Sequence, residues 1–373
     1  MIVRMARTLR EKGHEPVFVR FNQKPVALLE EISRYANIVL IDDLLSKDRA
    51  RKIGAIDAIY CYTEDTLVRM LYHSGVPSRR IVFGIYHPRQ YHVAVRFGDS
   101  FMNQLFRRIF AVYPRRNIVF MNEEVRRACE GNLHMDMAGA NILPLPVDVG
   151  GGPPVSRSRN GRRIVSIGRL VEFKNYHAPV IEFVARQRAE GLPFEYHIYG
   201  EGPMRPRIEA IIAEHGAREF VTLHGTLPYE DLPSVLFDAA VMIGMGTAMI
   251  EAAARGVPVI AAIDMQPILC HGWFHQTTGY CVGEATNHLP SVPIRRKLEE
   301  QANWSEAEYL EAARQSWVRA CDFSASKVVD DFLRILERAA TVENIRVSRW
   351  EWIRFWASKA YARHFTQPGW KHK

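Results

Sequence analysis

Short apolar segments alternate along this chain with longer segments whose apolar residues recur every three or four positions. The first pattern is typical of buried strands and the second of amphipathic helices. The predicted strands are 16–20, 36–41, 58–62, 81–86 and 118–121 in the first half, and 163–167, 195–199, 220–223, 239–243, 258–262 and 279–282 in the second. Strands that alternate with helices predict an α/β fold, with parallel sheets covered by helices on both faces.

The clearest linker covers residues 150–161, which are rich in glycine, proline and serine. We therefore predict a first domain over 1–149, a second over 162–339, and a basic aromatic helix over 340–373 that packs back on the first domain. Both domains are predicted to be doubly wound and Rossmann-like, facing a cleft, because ligands of such sheets bind beyond the carboxyl ends of the strands. The first predicted element is a helix rather than a strand, so the first domain is expected to lack its first strand.

Length and charge narrow the class of protein. A chain of 373 residues is long enough for two domains with full cores. The formal net charge of +8 favours an anionic partner such as a nucleotide. The five cysteines have no metal-ligand spacing, so we expect no zinc site and a reducing compartment. Neither a signal peptide nor a membrane span is predicted, so a cytoplasmic protein is expected.

The most informative segment is 244–260, which reads GMGTAMIEAAARGVPVI. It predicts a strand end, a glycine turn, a short helix and the next strand. Gly244 and Gly246 allow the backbone to turn and to approach a ligand closely. Thr247 is expected to cap the helix, and the free N–H groups at its start predict an anion site. Glu251, one turn further, is placed to reach a sugar hydroxyl of a phosphorylated ligand.

Two cations follow the first predicted strand of the second half. Arg169 supplies a planar fork of donors and Lys174 a mobile point charge, so the two can converge on one diphosphate. Solvated surface cations are the competing interpretation. Glycines at the next two strand ends, including Gly202 and Gly225, predict that these loops form one wall of a cleft.

One histidine of the first half stands out by its position. His87 directly follows the predicted strand 81–86. A histidine at the carboxyl end of a strand can donate a hydrogen bond to a substrate or act as an acid or base. A hydrogen bond from the ring to a loop carbonyl is the competing interpretation.

Together these motifs resemble the GT-B fold glycosyltransferases, in particular the large retaining family 4 (glycosyl transferases group 1), over residues 163–339. The resemblance implies that Arg169 and Lys174 bind the donor diphosphate and that Glu251 binds the ribose hydroxyls. It implies a position for His87 near the transferred sugar, as the catalytic residue. The residues predicted to bind the donor are Arg169, Lys174, Gly202, Gly244, Gly246, Thr247, Ala248 and Glu251.

The resemblance implies a retaining, metal-independent hexosyl transfer without a cofactor. The donor would be a nucleotide diphosphate sugar and the acceptor a carbohydrate or a lipid-linked molecule, in polysaccharide or glycolipid synthesis. One departure is Ile243, which stands where the family has the first glutamate of its Glu-x7-Glu motif. Ile243 and the missing first strand leave open a catalytically degenerate scaffold or binding subunit, and a nucleotide-sugar epimerase remains a further alternative. A nicotinamide oxidoreductase is excluded because no Gly-x-Gly-x-x-Gly turn follows an initial strand.

Two segments raise the question of a membrane surface. Residues 101–116 form an amphipathic pattern flanked by arginines, and residues 346–373 combine tryptophans with many basic residues. Basic amphipathic helices with tryptophan can lie in a lipid interface. For Trp352 and Trp356 we favour packing on the first domain, and we keep peripheral contact with an anionic membrane, at its inner face, for the outer arginines and lysines. Nucleic acid is not an expected partner, because no recognition motif accompanies the charge.

Overall fold

A computed structural model describes residues 1–21, 28–45, 55–73, 76, 78–91, 101–152 and 162–365, with the side chains of 361–365 left out. The chain forms two units, which are described separately. The N-unit contains Ile2–Pro144 and Val329–Lys373, and the C-unit contains Leu145–Val328. The boundary after Val328 falls inside a helix, whereas we placed it at 339. Most of the linker predicted over 150–161 lies outside the described residues.

The strands follow the predicted alternation with helices. They are β1 (Val17–Arg20), β2 (Asn37–Leu40), β3 (Ile59–Cys61), β4 (Ile81–Ile85), β5 (Ile118–Phe120), β6 (Asn141–Ile142), β7 (Arg163–Ile167), β8 (Glu195–Tyr199), β9 (Val221–Gly225), β10 (Val241–Gly244), β11 (Val259–Ile263), β12 (Gln266–Trp273) and β13 (Val292–Pro293). The described α-helices are α1 (Ile2–Glu11), α2 (Leu29–Ser33), α3 (Ile41–Leu45), α4 (Glu64–Tyr72), α5 (Phe101–Val112), α6 (Glu123–Leu133), α7 (His177–Ala189), α8 (Arg205–Glu214), α9 (Leu232–Phe237), α10 (Thr247–Ala253), α11 (Ile294–Ala302), α12 (Glu306–Cys321), α13 (Ala325–Arg338) and α14 (Arg349–Phe365).

The N-unit contains two parallel sheets among its described residues. One pairs β1 with β2, and the other has the order β3-β4-β5-β6. Every residue of β4 is buried, which explains its uninterrupted apolar sequence, because a central parallel strand is covered on both faces. Helix α1 precedes β1, as the sequence predicts.

The terminal helix α14 packs on α4 and α5 within the N-unit. The ring of Trp352 stacks on Tyr72 with a centroid separation of 4.5 Å. The Arg69 guanidinium lies 4.8 Å from the centroid of the Trp356 ring. Ile109 of α5 is fully buried. Leu105 is buried as well, whereas Val112 at the end of α5 is 63% exposed, so protein covers part of this apolar face and the membrane contact stays a prediction.

The C-unit has one seven-stranded sheet with the order β13-β12-β11-β10-β7-β8-β9. The strands from β7 to β11 are parallel, but β12 runs antiparallel to β11, and β13 antiparallel to β12. The prediction of purely parallel sheets is therefore wrong at this edge. Residues 279–282, predicted as a strand, form a turn, because Gly279 has a φ of +64°.

The order of the C-unit strands creates a switch point. From β7 the chain adds β8 and β9 on one side and then returns to place β10 on the other side. The connections that leave the carboxyl ends of β7 and β10 therefore diverge. In doubly wound sheets, ligands bind in the crevice at this position. Among the described helices of either unit, none has the length and hydropathy required to cross a bilayer.

Candidate functional site

Two cations lie at the switch point of the C-unit, in the loop after β7. Arg169 is exposed, whereas Lys174 is largely withdrawn from solvent. The Lys174 ammonium turns back toward the strand end, where a Cβ added to Gly168 would lie 2.8 Å from its Nζ. A Cβ at this position would make the flexible Lys174 side chain shift away from the strand end.

Burial, together with the positive charge of Arg169, lowers the pKa of Lys174 to about 8. Neither cation has a carboxylate partner within 4.0 Å among the residues that the structure describes. The buried Oδ1 of the neighbouring Asn175 also has no hydrogen-bond partner there. Two adjacent cations that repel each other and lack a carboxylate are stabilised by an anion that contacts both.

The loops after β7 and β8 are held together by the backbone. Leu170 N–H donates to the carbonyl of Glu201 over 2.9 Å. The two loops approach each other so closely that a Cβ added to Gly200 would lie 1.9 Å from the carbonyl oxygen of Gly168. A Cβ added to Gly202 would lie 2.2 Å from the carbonyl oxygen of Leu170. Gly202, predicted to bind the donor, therefore has a packing role in holding the loop that carries Arg169.

The glycine turn after β10 has the predicted position but different capping. Gly246, with a φ of +75°, is the N-cap of α10, and Thr247 is the first helical residue. The predicted capping role of Thr247 is therefore wrong, because Gly246 occupies the N-cap position. The Gly246 N–H already donates to the carbonyl of Val282 over 2.6 Å. The first N–H groups that α10 cannot satisfy by its own hydrogen bonds, after Gly246, thus belong to Thr247 and Ala248.

Glu251 is buried one turn inside α10, with only 4% of its surface exposed. Its Oε2 accepts a 2.8 Å hydrogen bond from Nη1 of Arg255, one turn further along the chain. The hydroxyl of Tyr229 donates to Oε1 over a longer distance of 3.4 Å. We did not single out either partner from the sequence, although the spacing of four residues between Glu251 and Arg255 is a legible signal. The ion pair holds the buried carboxylate in place.

Ile243 lies in the core instead of facing a ligand. Its side chain is fully buried in the hydrophobic cluster of the C-unit, next to Gly244, which ends β10. Its carbonyl oxygen accepts a 2.9 Å hydrogen bond from Oγ of Ser166. The position that a carboxylate would occupy in the Glu-x7-Glu pattern therefore offers no charge to a sugar.

A buried polar chain lies beneath the switch point. Because the Ile243 carbonyl can only accept, Ser166 donates to it and accepts from the hydroxyl of Tyr196 at 2.6 Å. Tyr196 in turn accepts from Nδ1 of His177 at 2.8 Å. Burial, aided by the charge of Lys174, lowers the pKa of His177 to about 3, so the ring is neutral. These hydrogen bonds hold the start of α7, and hence the Lys174 loop, against the three strands β7, β8 and β10.

His87 belongs to the N-unit, where it is exposed and follows β4 after one residue, Tyr86. Its Nδ1 accepts a 3.0 Å hydrogen bond from the backbone N–H of Arg89. The proton of the neutral ring is therefore on Nε2. The bond to a loop amide differs from the alternative that we considered, a bond to a loop carbonyl.

Comparison with known proteins shows which family the C-unit resembles. Residues 154–288 match the family described as "Glycosyl transferases group 1". WcaL of Escherichia coli (strain K12), described as a colanic acid biosynthesis glycosyltransferase, is 29% identical over 122 residues, which is 30% of this chain and 30% of WcaL. The alignments thus span less than a third of the length of such curated relatives.

Two solved structures share the fold over most of the chain. A glycosyltransferase from Rickettsia africae ESF-5 has a TM-score of 0.62 and 14% identity, covering 90% of this chain and 93% of its own. Anabaena Alr3699/HepE, solved in complex with UDP and glucose, has a TM-score of 0.60 and 13% identity, with coverages of 90% and 94%. The chain therefore has the Rossmann-like architecture of the GT-B fold, and over residues 154–288 it resembles the glycosyl transferases of group 1.

Proposed function

We propose that this protein is a retaining glycosyltransferase of family 4 that uses a nucleotide diphosphate sugar as its donor. The observation that carries the proposal is the pair Arg169 and Lys174 at the switch point, two neighbouring cations without a carboxylate partner among the described residues. A diphosphate supplies the charge that this pair lacks. The match to group 1 favours sugar transfer over epimerisation.

The same cations account for the chemistry. Negative charge builds up on the departing nucleoside diphosphate as the glycosidic bond breaks. Arg169, Lys174 and the start of α10 present positive charge to it before the reaction begins, and preorganised charge of this kind stabilises the transition state. In this proposal the two side chains neutralise the departing diphosphate, as a metal ion does in phosphate-transferring sites, so sugar transfer is metal-independent.

Glu251 is proposed to bind the ribose. Its Oε1 accepts a long bond from Tyr229, while Oε2 accepts a short bond from Arg255. Ribose hydroxyls that donate to Oε1 would replace the weaker bond without breaking the ion pair. Charge-assisted hydrogen bonds of this kind are about twice as strong as neutral ones.

His87 is proposed to donate from Nε2 to the transferred sugar, because Nδ1 is already bonded to the Arg89 amide. The acceptor is proposed to be a carbohydrate or a lipid-linked molecule that attacks from the face of the departing group. WcaL is described by its role in the synthesis of a polysaccharide, colanic acid, which supports an acceptor of this class. No cofactor beyond the donor substrate is proposed.

A second candidate is a binding subunit without turnover, which the buried Ile243 favours because it removes a sugar-contacting carboxylate. A thermal-shift screen with the diphosphates of uridine, guanosine, adenosine and thymidine, followed by their sugars, separates the candidates. We expect at least one diphosphate to raise the Tm, since a ligand that binds only the folded state stabilises it. The corresponding nucleotide sugar should then release the nucleoside diphosphate when an acceptor is present. Binding without release selects the second candidate, and no binding at all contradicts both.

We also propose that the outer face of α14 makes the peripheral contact with an anionic membrane. Trp350 and Ile353 are 66% and 48% exposed, and they share one helical face with the exposed Arg349 and Arg354. Apolar residues flanked by cations fit a lipid interface. The variant Trp350→Ser/Ile353→Ser should lose co-sedimentation with vesicles that contain phosphatidylglycerol, with an unchanged Tm. Equal sedimentation of the variant and the wild type, or none by the wild type, contradicts the proposal.

A further inference from the structure

The turn between β11 and β12 lies at the carboxyl edge of the C-unit sheet. Strand β11 runs parallel to β10 and ends at Ile263. Ile263 pairs with Gln266, the first residue of β12, so Asp264 and Met265 form a two-residue turn. Ligands of doubly wound sheets bind beyond the carboxyl ends of the strands. The turn therefore lies on the side of the sheet where the donor site is proposed.

The backbone joins this turn to the glycine turn before α10. The N–H of Asp264 donates to the carbonyl of Gly283 over 2.7 Å, and the N–H of Gly246 donates to the carbonyl of the preceding residue, Val282, over 2.6 Å. A Cβ added to Gly283 would lie 2.5 Å from the Cβ of Met245, so this segment packs tightly on the glycine turn. Because consecutive Cα atoms are only about 3.8 Å apart, the two bonds hold Asp264 close to the start of α10.

The next residue joins the turn to the loop that carries the two cations. The N–H of Met265 donates to the carbonyl of Phe173 over 3.1 Å, and Phe173 directly precedes Lys174. Met265 has a φ of +58°, which is unfavourable for a residue with a side chain. Strained backbone of this kind recurs at ligand sites. Asp264 is therefore fixed between the two segments that are proposed to bind the donor diphosphate.

The sugar of the proposed donor has no carboxylate partner from β10. Ile243 stands where the Glu-x7-Glu pattern has its first glutamate, and its side chain is buried in the core. Asp264 follows the neighbouring strand β11, and its side chain is partly exposed. A carboxylate accepts hydrogen bonds from sugar hydroxyls, and such charge-assisted bonds are stronger than neutral ones. Asp264 thus has the chemistry that Ile243 lacks, at an adjacent position of the sheet.

We propose that Asp264 binds hydroxyls of the transferred sugar and contributes to the choice of that sugar. The inference rests on the proposed function, because it places a sugar beside the diphosphate that Arg169 and Lys174 bind. A site built to bond a substrate hydroxyl rejects analogues that lack it, since its own polar group is then left unpaired. Asp264 is in this way a specificity-determining residue of the donor site.

Calorimetric titration without an acceptor tests the proposal. It compares the nucleoside diphosphate that the thermal-shift screen selects with the nucleotide sugar of the same base that binds most tightly. We expect Asp264→Asn to weaken the nucleotide sugar at least about 10-fold, because a hydrogen bond to a charged group is lost. The affinity for the diphosphate alone should not fall, since Asp264 gives the diphosphate neither a positive charge nor a donor. The ratio of the two affinities therefore reports the sugar contact, whereas a general loss of folding would lower both.

Glu172→Gln is the matched control, because Glu172 is an exposed carboxylate in the loop between Arg169 and Lys174. It should leave the ratio of the two affinities unchanged. Deoxy forms of the nucleotide sugar give a second readout. One of them should bind the wild type at least about 10-fold more weakly than the parent sugar, whereas Asp264→Asn should bind both equally.

Two results would overturn the inference and leave the proposed function standing. One is a wild-type ratio of affinities in an Asp264→Asn protein with a native Tm, and the other is an equal fall of the ratio in Asp264→Asn and Glu172→Gln. Absence of diphosphate binding by the wild type would instead overturn the proposed function, and this inference with it.

Discussion

Replacing Lys174 by methionine is expected to lower the affinity for a nucleoside diphosphate by roughly 30- to 150-fold. The reason is the loss of a charged, partly buried donor, which is worth about 2–3 kcal/mol. Methionine keeps the length of the apolar stem and removes only the charge. Calorimetric titration of the diphosphate that the thermal-shift screen selects gives both dissociation constants.

The stability of the unliganded Lys174→Met protein distinguishes a loss of binding from a loss of folding. Burial and the charge of Arg169 both disfavour the ammonium, which is why the pKa of Lys174 falls to about 8. Its folded pKa is therefore below its unfolded pKa, so the unfolded chain binds more protons between the two values. The lysine destabilises the fold below about pH 8, and this cost fades as the pH rises toward the unfolded pKa. Lys174→Met should thus lose affinity without losing stability at neutral pH.

The affinity itself should depend on pH through the same group. A bound diphosphate keeps Lys174 protonated, so above pH 8 binding requires proton uptake. We expect a constant dissociation constant near pH 7 and a rise of up to about tenfold per pH unit above pH 8. Lys174→Met should abolish this rise.

Arg207→Met is the matched control, because Arg207 is an exposed cation of the same unit on α8. It removes the same charge and should leave the affinity within about twofold, since exposed charges at a distance are screened by salt. Similar losses in both variants would mean that net charge, rather than the position of Lys174, controls binding.

Replacing Gly200 by alanine is expected to cost about 3–5 kcal/mol in the free energy of unfolding of the C-unit and to abolish diphosphate binding. The added Cβ would lie 1.9 Å from the Gly168 carbonyl oxygen, which is part of the backbone and cannot rotate away. The loop that carries Arg169 must move, at a cost typical of overpacking plus backbone strain. Urea unfolding followed by the C-unit tryptophans, compared with calorimetry, measures both effects.

Gly191→Ala is the control that separates the cost of backbone strain from the cost of a steric clash. Gly191 has a φ of +81°, but a Cβ added there would have no atom within 4 Å. Its replacement should cost only about 1–2 kcal/mol of strain and leave binding intact. If Gly200→Ala and Gly191→Ala lower the free energy of unfolding equally, the close approach of the loops after β7 and β8 contributes nothing to stability.

The strand pattern could be predicted where burial is complete. The bounds of β4 and β7 agree with the sequence prediction to within one residue, because parallel strands whose residues are buried on both faces have apolar runs. The strand β12 was missed since it contains Pro267 and Gly272, which argue against a strand, and its first half is exposed. The predicted turn chemistry also failed at Thr247, where a glycine with positive φ took the cap position.

The site could be predicted only as far as its residues are close in sequence. The cations of the β7 loop and the turn before α10 follow strand ends, so topology brings them to one edge of the sheet. The polar chain from His177 through Tyr196 to Ser166 joins three distant segments and depends on strand register. Hydrogen bonds between such segments leave no local pattern in the sequence.

The central claim is that Arg169 and Lys174 form an anion site for the diphosphate of a nucleotide donor. Its most direct test is a pair of calorimetric titrations of the wild-type protein, one with the selected nucleoside diphosphate and one with the nucleoside alone. We expect the diphosphate to bind at least about 100-fold more tightly, because two charged side chains contribute only to the former. Equal affinities for the two ligands would contradict the claim.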